Sequence, residues 1–272
     1  NDFGSVTTQP TQLVVDGTPT THTVPSANNL EMIFCPPGTF TMGSPASESG
    51  RLSDETQHQV TLTNGFYLGK YEVTQAQYEK VIGSNPSSPQ GNNRPVERVN
   101  WQQAQAFCDQ LTSIEQTAGR LPAGWKYALP TEAQWEYACR AGTTTAYSWG
   151  NAIGPNDANW NHGNDANSTM EVRQYSANPW GFFDMHGNVS EWVHDWKAVY
   201  PSGSQINPEG PASGSARVTR GGSWYNGGAA LRSARRSTSL PFNGSNSNGF
   251  RLAFQSMPAD TTNPELELFG GA

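Results

Sequence analysis

The feature that most constrains the fold is the closing cassette, Arg217-Val-Thr-Arg-Gly-Gly-Ser-Trp-Tyr-Asn226-Gly-Gly-Ala-Ala-Leu231-Arg-Ser-Ala-Arg-Arg236, followed by Gly249-Phe-Arg-Leu-Ala253. It ends a region, beginning at Gly142, in which Asn, Gly and Ser carry isolated Trp residues and no helix or strand period survives. So long a loop region is uncommon in a compact domain unless a metal holds the loops or they serve a function. With 28 Gly, 19 Pro, nine Trp and eleven Phe, the chain reads as loop-rich with an aromatic core.

At 272 residues the chain could be one large domain or two small ones, and the spread of its motifs favours one. A net charge of −7 and only 14% charged residues argue against nucleic acid or an anionic membrane surface as partner, since both need clustered Lys and Arg. Arg217, Arg220, Arg232, Arg235, Arg236 and Arg251 do gather in the last third. No apolar run approaches the length of a membrane span, and residue 1 opens no signal peptide. Three cysteines cannot complete a disulfide set, so at least one thiol is free or pairs with another chain. Cys108 and Cys139 fall at core positions of predicted helices and read as buried small hydrophobes.

Residues 1–29 read as an extended arm with one strand at Gln12-Leu-Val-Val15, and residues 255–272 as an acidic surface tail. Between them, Met32-Ile-Phe34 and Thr39-Phe-Thr-Met42 flank Pro-Pro-Gly and predict a hairpin. Val60–Thr63 and Phe66–Tyr71 flank Asn64-Gly65 and predict a second. Three helices are announced by capping boxes. Thr74 with Gln77 opens one that stops at Gly83, with Val73 and Tyr78 at the staple positions. Asn100 with Gln103 opens an amphipathic helix ending near Gly119; Thr131 with Gln134 opens a third with Gly142 as its C′ residue. The second and third should pack against a sheet.

Other segments join the cassette in order: Pro37–Ser44, Phe66–Tyr78, Pro95–Trp101, Leu129–Gly142, Trp149-Gly150, Ala158-Asn159 and Gly187–Trp192. Together they make residues 30–254 resemble the formylglycine-generating-enzyme, or sulfatase-modifying-factor, family. The resemblance implies a single α+β domain of C-type-lectin-like fold, with little regular structure supporting many ordered loops. In catalytic members the second position after Gly-Gly-Ser-aromatic is cysteine and another follows five residues later; the pair binds copper and oxidises a substrate cysteine. Asn226 and Leu231 stand there in this chain. Neither supplies the soft sulfur that Cu(I) needs, so the resemblance implies a pseudoenzyme without copper.

Calcium is the expected cofactor, as a structural ion. Asp184 and Glu191 bracket a tight turn whose backbone carbonyls suit an oxygen-loving cation. The family's calcium loop aligns them as side-chain ligands and Gly187 and Val189 as carbonyl ligands. A second family site would use Asn159, the Trp160 carbonyl and an acid, for which Asp165 is nearest. The alternative is that Asp184 caps a turn and Glu191 pairs with an arginine. His162, His186 and His194 match no tight metal signature and read as hydrogen-bonded residues. No Gly-x-Ser-x-Gly elbow accompanies Ser44, Ser190 or Ser223.

The remaining chemistry is recognition. Tyr225, Asn226, Ala230, Leu231 and Arg235, then Ser237, Thr238, Leu240 and Phe242, then Asn243, Ser245, Asn246 and Ser247 lie between framework Gly, Arg and Trp residues. A mix of Tyr, Asn, Ser, Gly and Arg suits surfaces that combine rigid aromatic contacts with adaptable hydrogen bonds. The cassette also resembles that of retroelement-diversified variable proteins on this fold. The expectation is a calcium-stabilised, non-catalytic domain, located outside the cytoplasm or at the cell surface, binding a protein or other surface ligand. The alternatives are an enzyme using the same cleft, with Arg232, Arg235 and Arg236 positioning substrate, an ordinary solvated loop surface, or a domain serving assembly.

Overall fold

In this computed structural model, residues 20–163 and 168–256 are described. The chain runs β1 (Thr21–Val24), β2 (Leu30–Cys35), β3 (Gly38–Met42), β4 (His58–Leu62), β5 (Phe66–Gly69), α1 (Gln75–Ile82), α2 (Trp101–Thr117), β6 (Trp125–Ala128) and α3 (Glu132–Arg140). After α3 the next strands are β7 (Ser190–Trp196), β8 (Gln205–Ile206), β9 (Arg217–Arg220), β10 (Ser237–Ser239), β11 (Asn248–Gly249) and β12 (Ala253–Ser256). The strands form three sheets, ordered β1-β2-β5-β12-β6, β10-β9-β7-β11 and β3-β4-β8. The expected loop-rich α+β class is borne out.

All three capping boxes form. Thr74, Asn100 and Thr131 each accept from the backbone N–H three residues on, and Gln77, Gln103 and Gln134 reach back to the cap N–H at 2.9 Å. Gly83 ends α1 at φ +84°, as expected of a left-handed terminator. At the end of α3 the turn comes one residue early: Ala141 already has φ +47° before Gly142 at +88°.

Neither predicted hairpin exists. β2 pairs with β5 and β3 with β4, so the chain changes sheet at Pro36-Pro37 and again at Asn64-Gly65. Gly65 is there for packing: a Cβ would fall 2.4 Å from Phe34 Cζ. Its φ is not positive, as the hairpin turn would have required. The sheet also takes in part of the presumed arm, because β1 pairs antiparallel with β2, and β12 runs two residues past the expected boundary at 254. The strand expected at Gln12–Val15 and the tail beyond 256 lie outside the described residues.

Side chains alternate across a strand, and the five-stranded sheet uses both faces. Met32 and Phe254 join Val81, Phe107 and Leu111 of the α1/α2 layer; their neighbours Ile33 and Ala253 join Trp135, Ala138 and Cys139 of α3. The core is aromatic as expected: Phe107 stacks on Tyr78 at 5.6 Å and meets Phe250 edge-on at 5.4 Å. Cys108 and Cys139 are buried free thiols, and Cys35 joins them.

Candidate functional site

The cassette arginines are the skeleton of the loop region. Arg232 grips Glu55 with two nitrogens at 2.8 Å, Arg236 grips Glu132 at 2.7 and 2.8 Å, Arg251 grips Glu191 at 2.6 Å twice, and Arg220 reaches Glu136. All eight side chains are buried. The guanidinium fork matches a carboxylate in two-point contact, and each pair ties the cassette to a distant segment. Arg232 and Arg236 therefore hold the fold and are not free to position a substrate, which corrects the enzymatic assignment for both. Arg235 is half-buried and makes no salt bridge among the described residues.

Positions 226 and 231 carry structure as well. Asn226 closes its own turn: its Oδ1 accepts from Ser223 N at 3.0 Å and Ser223 Oγ at 2.8 Å, and its carbonyl accepts from Asn161 N at 3.0 Å. Leu231 is completely buried with Ala146, Tyr147 and Ala158, so its place on a displayed surface is corrected; Ala230 packs at the edge of the same cluster. Gly187 and Gly222, both at positive φ, lie against it, and a Cβ on either would fall 3.1 or 2.8 Å from a Leu231 methyl. Beside this segment opens a polar cavity of about 610 Å³, lined by Glu48, Thr144, Tyr147, Asn151, Ala229 and Arg232.

The Leu231 carbonyl lies 2.6 Å from His186 Nδ1, while Ser148 N donates to His186 Nε2 at 3.2 Å. These partners fix the Nδ1–H tautomer. Burial lowers the His186 pKa to about 4. Because the unfolded imidazole protonates near 6.5, the unfolded state takes up the extra proton between pH 6.5 and 4, and stability falls as pH falls through that window. We expect the His186 ring nitrogens to stay in the neutral pattern at pH 5.5 by nitrogen-detected NMR; a titration midpoint above 6 would contradict this environment. Cys139 Sγ lies 3.6 Å from both His186 Nε2 and Ser233 Oγ, so the fold brings one thiol near Leu231 despite the sequence distance. Burial pushes that thiol up to about 12, leaving it protonated.

The recognition residues divide by exposure. Tyr225 (66%) and Phe242 (64%) project into solvent with Leu240, Thr238, Asn243 and Asn246, whereas Ser237, Ser245 and Ser247 are half-buried. Trp224 Nε1 donates to the Asn246 carbonyl at 3.1 Å, joining the loops of Tyr225 and Phe242. Asn161, absent from the sequence assignment, bonds the carbonyls of Asn226 and, at 3.4 Å, Tyr225. Nothing in the periodicity of the Asn-rich loop marks it.

At the proposed cation turn, Glu191 is fully buried and both oxygens are engaged, by Arg251 and by Trp135 Nε1 at 2.7 Å. The arginine alternative is the one formed. Asp184 accepts from Arg173 N at 2.7 Å. The unpartnered carboxylate is Glu72, which the sequence reading passed over: it is completely buried and neither oxygen has a hydrogen-bond partner. Burial first, then Asp184 and Glu191, push its carboxyl well above the usual range, and Arg251 opposes them most strongly. Among the described residues no three acidic, His or Cys side chains converge as metal ligands, so an ion here would draw on backbone carbonyls, as Gly187 and Val189 were expected to provide. At the second proposed site Asn159 donates to Ser168 O and Asn188 Oδ1, both at 3.1 Å. Trp160 follows it, and Asp165 lies outside the described residues.

Three small sheets bound together by a buried arginine cassette define an α+β domain of the formylglycine-generating-enzyme type. The profile of the "Sulfatase-modifying factor enzyme 1-like domain" matches residues 18–256, and the chain belongs to this family. It is 28% identical to the formylglycine-generating enzyme of Mus musculus, covering 84% of this chain and 76% of that protein. To the chaperone protein LppX of Paenibacillus barcinonensis it is 33% identical over 63% of this chain and 73% of that one. Among solved structures, Treponema denticola variable protein 1 superposes with a TM-score of 0.76 at 30% identity, covering 88% of this chain and 99% of that one. PvdO from Pseudomonas aeruginosa gives 0.75 at 26% identity, covering 87% and 98%.

Proposed function

We propose that this chain is a non-catalytic binding member of its family, a scaffold that presents the Tyr225–Ser247 surface to a protein or other surface ligand. The observation that carries the reading is what occupies the two cysteine positions: Asn226 caps a turn and Leu231 is sealed in an apolar cluster. Oxidation of a substrate thiol through copper needs thiolate ligands, and the nearest thiol, Cys139, is single, buried and protonated. Similarity to a protein called variable supports a recognition role for the exposed residues of the cassette, as does the pairing of Tyr225 and Phe242 with small polar neighbours. A structural calcium ion at the Asp184 turn and a place outside the cytoplasm complete the reading.

Copper-loaded protein incubated with a cysteine-containing sulfatase peptide should consume no oxygen above the peptide-free rate and form no aldehyde, while an active formylglycine-generating enzyme in the same assay does both. Catalytic turnover by this chain would overturn the reading. The diversification element has its own check: a near-copy of the codons for residues 217–253 beside a reverse-transcriptase gene supports it, and an isolated gene removes it.

A further inference from the structure

A second cavity, of about 370 Å³, lies between the start of α3, the end of β7 and the loop 198–211, and it shares no lining residue with the cavity beside Leu231. That volume falls within the usual range for small-molecule sites, roughly 300–1,000 Å³. One wall is apolar, built from Trp196, Val199 and the prolines 201, 208 and 211; the floor is polar, with Glu132, Asp195 and Arg236.

The floor is unevenly satisfied. Glu132 is closed off by two bonds from Arg236 and one from Tyr200 OH at 3.1 Å, and Arg236 uses NH1 on the Ala198 carbonyl at 2.9 Å. Asp195 is only 5% exposed and forms no salt bridge among the described residues. Its Oδ2 accepts the Glu132 backbone N–H at 2.7 Å, while Oδ1 receives no hydrogen bond from another described residue. Gly210, at φ +73°, lies over it: a Cβ there would come within 3.1 Å of Oδ1. Glycine is thus required both by the backbone and to leave that oxygen uncovered. Glu209, on the rim, also lacks an ion pair among the described residues.

The nearby cations are committed elsewhere. Arg217 is held between the Trp101 and Trp196 rings at 3.7 Å from each and donates to the His194 carbonyl. Lys197 is paired with Asp54 at 2.5 Å, and His58 packs at a tilt against Tyr200 with Nδ1 toward the Thr56 carbonyl. Asp195 is thus a nearly buried carboxylate held by the Glu132 backbone N–H and its own backbone, with no cation paired to it among the described residues. At the floor of this apolar-walled cavity it is complementary to a cation with a hydrocarbon body. The geometry points to a site for a small organic amine, its ammonium on Asp195 Oδ1 and its apolar part against Trp196, Val199 and the proline wall. Burial and the neighbouring Glu132 charge hold the empty Asp195 carboxyl up at about 8. Binding of the ammonium at pH 7 therefore releases the Asp195 proton to the buffer.

The test is calorimetry on the full chain with cyclohexylmethylamine, its isosteric alcohol cyclohexylmethanol, and cyclohexanecarboxylate. The amine should bind about tenfold or more tightly than the alcohol, with an enthalpy that varies with the ionisation enthalpy of the buffer, and the carboxylate should not bind. Asp195→Asn, whose amide oxygen still accepts the Glu132 N–H, should abolish the preference for the amine. Val199→Arg, at a site 85% exposed and therefore harmless to folding, should weaken amine binding by placing a cation at the mouth. Equal affinity for amine and alcohol, no saturable amine binding, or amine binding unchanged in either folded variant would overturn the proposal.

Discussion

Arg251→Ala is expected to lose about 3–5 kcal/mol of folding stability, the usual consequence of removing one partner from a buried ion pair. The guanidinium is completely buried and does more than neutralise Glu191: NH1 also donates to the Gly69 carbonyl and NH2 to the Phe183 carbonyl, both at 3.1 Å. Without it, Glu191 keeps only the Trp135 indole, the Gly69 and Phe183 carbonyls lose this donor, and Glu72 and Asp184 lose a cation that opposes their charge. For a domain of this size the loss corresponds to a melting-temperature drop of roughly 10 °C. Arg251→Lys should recover little, because an ammonium cannot make the two-point contact and still reach both carbonyls. Urea unfolding in chelator, at pH 7, measures the effect; a loss under about 1 kcal/mol would mean the pair is solvated and the cassette is not the tie described here.

Helices were legible in the sequence because their signals are local. A capping box needs four residues, and Thr74, Asn100 and Thr131 each carry one with an apolar stripe behind it. Strands were legible as runs but not as partners. Pro36-Pro37 and Asn64-Gly65 look like hairpin turns, yet they pass the chain between sheets, and nothing in a run of six residues says which distant strand completes its ladder. The cassette was legible as a resemblance, while the role of its arginines was not. Glu55, Glu132, Glu136 and Glu191 lie between 60 and 177 residues from the arginines that bury them, a separation over which spacing carries no information. Leu231 follows the same logic: its neighbours Ala146, Tyr147 and Ala158 come from the aperiodic loop, so its burial is a property of the folded chain alone. Glu72 could have been suspected, since a lone carboxylate between Tyr71 and Val73, just ahead of a capping residue, is an expensive thing to bury without a purpose.

That carboxylate gives the sharpest test of the calcium proposal. Without an ion, burial and the neighbouring Asp184 and Glu191 raise the Glu72 carboxyl well above the usual range, so it keeps its proton; a divalent ion would displace that proton and take the oxygen ligands it prefers. Calcium at a hundredfold excess over its dissociation constant should then stabilise the wild type by about 3 kcal/mol, through mass action on the folded state. Asp184→Ala should melt well below the wild type in calcium and close to it in chelator. Glu72→Gln should behave differently in the two conditions: the neutral amide stands in for the protonated acid, so the variant should melt close to the wild type in chelator. In calcium it should melt below the wild type, because the ion then has one carboxylate fewer and binds more weakly. Melting curves of the three proteins with and without chelator decide it. Equal losses for Asp184→Ala in both conditions, or Glu72→Gln melting with the wild type in both, would mean that the buried acids are balanced by protons and that no cation belongs at this turn.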